Sequence, residues 1–248
     1  RRRLGDDNAI ALDLLRRLNG ETNPNVIRED PTADDVALFE GTGLAPAGQI
    51  IQVLDPYQNL DSRVAKGWDF GLFYDVGDVG IGSLDIALNA ARLNSFFQTP
   101  SADGQELIDA VNAGVLPDEI VISDIGELLR LNGRPRWRLT GTVNVKSGPV
   151  RWNLFARYVD SVFDTSVTQD SDGPDPGAFF PVDDWLTINT SISYTIDNET
   201  PLDGVRLKFG INNLFNEDPP LADQSYGFDG SLHSARGRQF LVSLGKTF

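Results

Sequence analysis

Seven segments of this chain alternate apolar and polar residues one by one. Successive side chains of a strand point to opposite faces, so each such segment reads as a strand with one apolar and one polar face. Residues 205–211 set Val205, Leu207, Phe209 and Ile211 against Arg206, Lys208 and Gly210, and 186–196 set Leu186, Ile188, Ile192 and Tyr194 against Thr187, Asn189, Ser191 and Ser193. Residues 150–158 set Trp152, Leu154 and Tyr158 against Arg151, Asn153 and Arg157, and 137–145 set Leu139 and Val143 against Arg138 and Thr140. Residues 84–90 and 68–76 repeat the pattern, and the last segment sets Phe240, Val242, Leu244 and Phe248 against Gln239, Ser243 and Gly245. Alternation by itself suits a soluble sandwich equally well.

The connections separate the two readings. They are short at 75–79, 146–149 and 197–203, and long at 97–134, 164–183 and 215–236. A transmembrane barrel has tight periplasmic turns on one rim and longer external loops on the other, whereas a soluble barrel has no reason to sort them. We therefore expect an all-β fold, an antiparallel transmembrane β-barrel. With a periplasmic C-terminus, the last strand and every second one before it descend. Residues 49–54 (QIIQVL) are expected to form the upper part of the first descending strand, broken at Asp55-Pro56-Tyr57 because proline cannot donate to a ladder. That makes seven strands, or eight if the break is a turn. Single-chain bacterial barrels close with even strand numbers, and an open edge in lipid leaves backbone groups unpaired. The expectation is thus the C-terminal part of a larger barrel, spanning 1–248, with 1–48 mainly an extracellular loop.

Composition narrows the rest. There is no cysteine, hence no disulfide framework or thiolate chemistry, and no run of about 18 apolar residues to form a transmembrane helix. Arg1–Arg3 has no apolar core behind it, so no signal peptide is expected in this sequence. A net charge of −15 is the wrong sign for a nucleic-acid partner. Much of the acid (Asp30, Asp34 and Asp35; Asp164, Asp170, Asp172, Asp175, Asp183 and Asp184) falls in long connections and is expected to be solvated. The 170–177 run DSDGPDPG lacks the spaced bidentate Glu of a calcium loop, so no metal is assigned, and no cofactor is implied. His233 is the only histidine and reads as a surface loop residue; catalysis is not assigned to it. Glycines at 77–82 fit a tight turn, not a phosphate loop. Helical spacing at 8–18 and an N-cap Ser101 before 102–113 predict two short helices, read as loop decoration.

The sequence INNLFNEDPP at 211–220, followed by GRQFLVSLGKTF at 237–248, resembles the C-terminus of TonB-dependent outer-membrane receptors. Asn59-Leu60 with Lys66-Gly67-Trp68-Asp69 resembles a further segment of that family. Lys246 departs from it, since the family usually places an aromatic or apolar residue third from the end. The resemblance implies the C-terminal seven or eight strands of a plugged barrel of about 22 strands. It implies residence in the outer membrane of a Gram-negative bacterium and energy-coupled uptake of a scarce nutrient such as a ferric siderophore, a vitamin or a glycan. The implied partners are outer-membrane lipid, the remaining strands and N-terminal plug domain (not in this chain), the TonB complex reached through the plug, and a small-molecule or glycan ligand. The alternative is a passive porin-like channel; an enzyme is not expected.

Trp68, Trp137, Trp152, Trp185, Tyr74, Tyr158, Tyr194 and Phe248 are expected to form the aromatic girdles of the lipid interfaces. Arg136, Arg138, Arg151, Arg157, Arg206 and Lys208 are expected to face the lumen, pairing with a plug or guiding an anionic ligand. Loop aromatics such as Phe96 and Phe97 suit sugar stacking. The candidate ligand mouth comprises Phe179, Phe180, Tyr226 and Phe228, with His233 and Arg236 as polar contacts.

Overall fold

A computed structural model describes residues 6–54, 62–117, 120, 122, 124–169 and 178–247. In chain order its elements are α1 (Asp6–Leu18), β1 (Val26–Arg28), α2 (Ala33–Phe39), β2 (Ile50–Val53), β3 (Arg63–Asp78), β4 (Ser83–Gln98), α3 (Ala102–Asn112), β5 (Gly126–Glu127), β6 (Trp137–Ser147), β7 (Val150–Val159), β8 (Val162–Thr168), β9 (Phe179–Val182), β10 (Trp185–Thr195), β11 (Val205–Asn212) and β12 (Gln239–Lys246). They divide into two units, 1–64 with 96–128, and 65–95 with 129–248.

The larger unit is built on one open sheet in the order β12-β11-β10-β7-β6-β4-β3. The pairs from β4 to β12 are antiparallel. Its seven strands are the seven alternating segments. Register aligns their apolar sets into continuous rows: Val145 pairs with Trp152, Trp152 with Ile192, Ile192 with Phe209, and Phe209 with Val242. The neighbouring row on the other face runs Lys146, Arg151, Ser193, Lys208, Ser243. A one-residue slip would exchange the two faces, so the alternation itself locks the pairing. Thr190, the polar exception in the apolar set, accepts a hydrogen bond from Trp152 Nε1 at 2.9 Å and donates to the Asn153 carbonyl at 3.1 Å. Its hydroxyl is therefore satisfied without water.

Among the described residues nothing in the unit covers the apolar rows. Ile192 is 48% exposed and Leu207 53%, and Val242, Leu244 and Phe240 are more so. The buried apolar side chains of this unit number only a handful, at the rim of the sheet by the long connections: Val159, Val162, Val182, Trp185, Ala222 and Leu232. Water-soluble monomers rarely leave so large a contiguous apolar surface open. Lipid covers it in a barrel wall. Among the described residues no helix is long and apolar enough to cross a membrane.

The short connections are tight turns. Between β3 and β4 the Val79 N–H donates to the Gly82 carbonyl at 2.9 Å, and Asp75 and Asp78 accept from the amides of Gly77 and Gly80. Before β11, Gly204 adopts φ +74°, and a Cβ there would lie 2.3 Å from the Thr247 carbonyl. Only glycine lets the chain turn against the end of β12.

The smaller unit folds differently. Helices α1 and α3 occur where helical spacing placed them, and Ser101 Oγ accepts from the Gly104 amide at 3.2 Å as the N-cap. They are more than decoration, because Leu12, Leu15, Leu107 and Leu116 close into a core of their own. Arg16 pairs with Asp103 at 3.2 Å, and Arg28 with Asp13 at 2.8 Å. Helix α2 was not foreseen; its signal is the capping box Thr32-x-x-Asp35, formed in full.

Residues 49–54 correct the expectation of a broken barrel strand. Strand β2 pairs with β1 in a separate two-stranded sheet, with Val53 opposite Val26 and Ile50 opposite Arg28. The eighth strand of the main sheet is instead β5, whose two residues pair with Phe97 and Gln98 at the end of β4. The long connection after β7 also holds structure, since β8 and β9 pair as a small sheet of their own. Asp55-Pro56-Tyr57, Asn59-Leu60, the acidic run 170–177, Arg1–Arg3 and Phe248 lie outside the described residues.

Candidate functional site

The site is built where β11 ends. Asn213 takes a left-handed φ of 52° and is buried. Its amide side chain clasps the backbone of Glu217 from both sides: Nδ2 donates to the Glu217 carbonyl at 2.8 Å, and Oδ1 accepts from the Glu217 N–H at 2.9 Å. Its own N–H donates to Asn189 Oδ1 on β10 at 2.8 Å. Asn216, also left-handed at φ 59°, accepts the Arg238 N–H at 2.8 Å. A Cβ on Gly237 would stand 2.9 Å from that same Asn216 oxygen. The Asn-Leu-Phe-Asn element and the Gly-Arg pair thus form one device that launches the last connection and receives it back at β12.

Between these points the connection folds onto the polar face of the sheet. Ala222 and Leu232 enter the cluster of Val159, Val162 and Val182, with Phe180 packed beside them. Arg157 on β7 donates to the Leu232 carbonyl at 3.1 Å. The Asp223 amide donates to Asp164 at 2.9 Å, and Ser166 bonds both carboxylates. Asp164 is therefore buried and structural, not solvated as its loop position suggests.

Trp185 faces this loop and not the lipid. It is buried, shares its face with Thr187, and donates Nε1–H to the Asp218 carbonyl at 3.1 Å. Its place among the girdle aromatics is corrected: strand parity puts it inward, and the loop requires an apolar partner there. His233 packs edge-on against it, with ring centres 5.5 Å apart at 87°. The histidine is 5% exposed and neither ring nitrogen has a hydrogen-bond partner among the described residues. It is not a surface residue. Burial pushes its pKa down from the ordinary imidazole value; Asp229 opposes the fall, and the cation of Arg157 adds to it.

The six predicted mouth residues divide by accessibility. Tyr226, 87% exposed, and Arg236 reach solvent. Phe179 and Phe228 are half-buried, Phe180 packs against the loop core and His233 lies beneath it. Phe96 and Phe97 belong to β4, where the Phe96 N–H donates to Glu127 at 2.7 Å and the Arg63 guanidinium stacks on the Phe96 ring at 5.0 Å. Below the loop, the polar face of β7, β10, β11 and β12 forms a groove of about 390 Å³ lined by Asn153, Asn189, Ser191, Lys208 and Ser243 among others. The groove was implicit in the alternation. The burial of Trp185 and Leu232 was not, because their partners lie tens of residues away. Among the described residues no group of three or more His, Cys, Asp or Glu is placed to hold a metal ion.

A family model agrees with this architecture. It is described as TonB dependent receptor-like, beta-barrel, and matches residues 22–214. Solved structures similar to the chain include the ferric enterobactin receptor PfeA of Pseudomonas aeruginosa, at 14% identity and TM-score 0.44, covering 78% of this chain and 23% of that one. The copper transporter OprC is similar at 16% identity and TM-score 0.43, over 80% and 25%. The ferric citrate transporter FecA, unliganded, is similar at 17% identity and TM-score 0.36, over 71% and 30%. The chain spans less than a third of each of these proteins. No curated protein matches it.

Proposed function

Because the chain belongs to the TonB-dependent receptor family, as part of its β-barrel domain, we propose that it forms the C-terminal wall of an outer-membrane receptor. In this reading the receptor captures a scarce nutrient, such as a ferric siderophore, a vitamin or a glycan, at its external mouth. It delivers the nutrient inward through a plugged lumen, coupled to the TonB complex. The observation that carries the reading is the seven-strand sheet with one bare apolar face and one polar face, the polar one partly roofed by the β11–β12 connection. Residues 1–48 and the long connections face outward, and the ligand mouth is formed by Tyr226 and Arg236 at its open surface with Phe179 and Phe228 behind them. Phe180 and His233 support the mouth from below. The chain has no role as an enzyme in this scheme.

The test uses the full-length protein in liposomes and in cells. A plugged receptor blocks free diffusion of small neutral sugars, and its cellular uptake stops when the inner-membrane proton gradient is collapsed. Rapid sugar diffusion with gradient-independent uptake would instead establish the porin-like alternative. Tyr226→Ala with Arg236→Ala is expected to weaken ligand capture and leave heat-modifiable migration on SDS gels unchanged.

A further inference from the structure

We propose that the lipid-facing side of the sheet carries a site for one anionic, phosphate-bearing lipid of the external leaflet, an inference that rests on the barrel-wall reading above. The apolar rows are not uniformly bulky. Gly141 on β6 and Ala156 on β7 stand side by side in the register. They form the floor of an apolar groove of about 630 Å³, walled by Phe70 and Leu72 from β3 at one end and by Tyr158 and Leu186 from β7 and β10 at the other. From β3 to β10 the groove crosses four strand spacings, roughly 19 Å, the reach of one extended fatty acyl chain. The next row, with Leu139 opposite Tyr158, lies two residues away along the strands, about 7 Å. A floor so narrow suits a hydrocarbon chain and not a helix, whose diameter with side chains is about 10–12 Å. The groove is continuous with the face that lipid covers, so the chains nearest to it are those of the bilayer.

The residues at the rim select the headgroup. Arg92 follows Leu88 and Ala90 on the same face of β4, and its guanidinium stacks over its register partner Trp137 at 5.5 Å. Among the described residues Arg92 has no ion pair, and its Nε has no hydrogen-bond partner. Lys66, in phase with Trp68 and Phe70 on β3, is exposed beside it: a Cβ on the intervening Gly67 would lie 2.5 Å from the Arg92 carbonyl. Two cations and two tryptophans therefore meet at the end of the face where the long external connections begin, the level of lipid headgroups. An interfacial arginine without a carboxylate partner suits phosphate, which its planar fork binds through two parallel hydrogen bonds. At the other end of the groove the carboxylates of Asp160 and Asp184 lie against the Tyr158 hydroxyl. They repel a phosphate there, so the rim has a direction. The anionic head sits at Lys66 and Arg92, and its chain runs over Gly141 and Ala156 toward Leu186.

The full-length receptor is reconstituted in phosphatidylcholine vesicles with a titrated fraction of phosphatidylglycerol carrying a diazirine in one acyl chain, irradiated, digested and mapped by mass spectrometry. Labelling is expected to saturate, to concentrate on 139–141 and 156–158, and to be displaced by unlabelled phosphatidylglycerol but not by added phosphatidylcholine. K66Q and R92Q should each raise the fraction needed for half-saturation about fivefold. A156L fills the floor and should abolish the saturable component while heat-modifiable migration is kept. The glutamine variants lie at the rim and test the site even if A156L does not assemble. Label spread evenly over the apolar rows, Ile192 and Val242 included, or displaced equally by both lipids, would mean an ordinary lipid annulus: the barrel wall stands and the site is overturned. Absence of label from all of these rows would overturn the wall as well.

Discussion

Leu107 and Leu207 are the same residue with opposite fates. Leu107, on α3, is completely buried among the leucines of α1. Leu207, on β11, is left half open in a row of equally open side chains. The helical unit satisfies the hydrophobic effect within the chain, because two amphipathic helices can turn their apolar stripes toward each other. The sheet does not, because its apolar rows all face the same way and, among the described residues, no second layer packs on them. The first region is finished in water. The second leaves its apolar rows bare, as the lipid-facing side of a barrel wall does.

The largest effects should show this division directly. Leu107→Ala removes a fully buried side chain and is expected to cost about 2–5 kcal/mol. Limited proteolysis of the membrane-embedded protein should then cut within 96–128, while heat-modifiable migration is retained. If migration is lost as well, the two units do not fold as separately as their cores suggest. Next, Ile192→Arg is expected to cost about 2–4 kcal/mol of barrel stability if it lies near the bilayer midplane, measured by reversible unfolding in lipid. Asn153→Arg, one strand away on the other face, should cost far less. Ser193 is unsuitable as the polar-face control, since it is itself buried beneath Arg206. Equal costs at Ile192 and Asn153 would break the two-face assignment.

A smaller effect is expected at the joint between wall and loop. Asn213→Ala strands both backbone groups of Glu217 and should cost about 1–3 kcal/mol, seen as faster hydrogen exchange across 213–238 with β3 to β7 unchanged. The smallest concerns His233. Its buried pKa lies below the ordinary value of 6.5, so the released loop takes up the proton first. Loop docking is thus at full strength above that value, weakens as pH falls through it, and levels off below the buried value. Protection of the 231–234 amides, taken relative to the intrinsic exchange rate at each pH, should fall on acidification, and His233→Phe should remove that fall. An unchanged pH response in that variant would show that another group controls the loop.

Sequence reading located the seven strands, their two faces and the sorting of turns, because a period of two is written residue by residue and survives without any partner. It located α1 and α3 by the same logic. It missed α2, although the box at Thr32 and Asp35 was there to be read. It misjudged 49–54, since four strand-forming residues look alike whether they pair with β1 or extend β3. His233 and Asp164 looked like solvated loop residues because their neighbours in sequence are polar; their neighbours in space are Trp185, Arg157 and Asp223.

The local pattern of this chain determined that it makes antiparallel strands with an apolar and a polar side, and its terminal motif determined how the last two strands are joined. Tertiary structure alone decided that the apolar leucines of α1 and α3 meet while those of β10 to β12 stay bare. It alone decided that one long loop tucks Leu232 and His233 under itself, and that Lys66 and Arg92 meet beside a groove floored by Gly141 and Ala156. The reason is physical: alternation and capping act between residues a few positions apart, whereas burial and charge clustering depend on which distant strands register side by side.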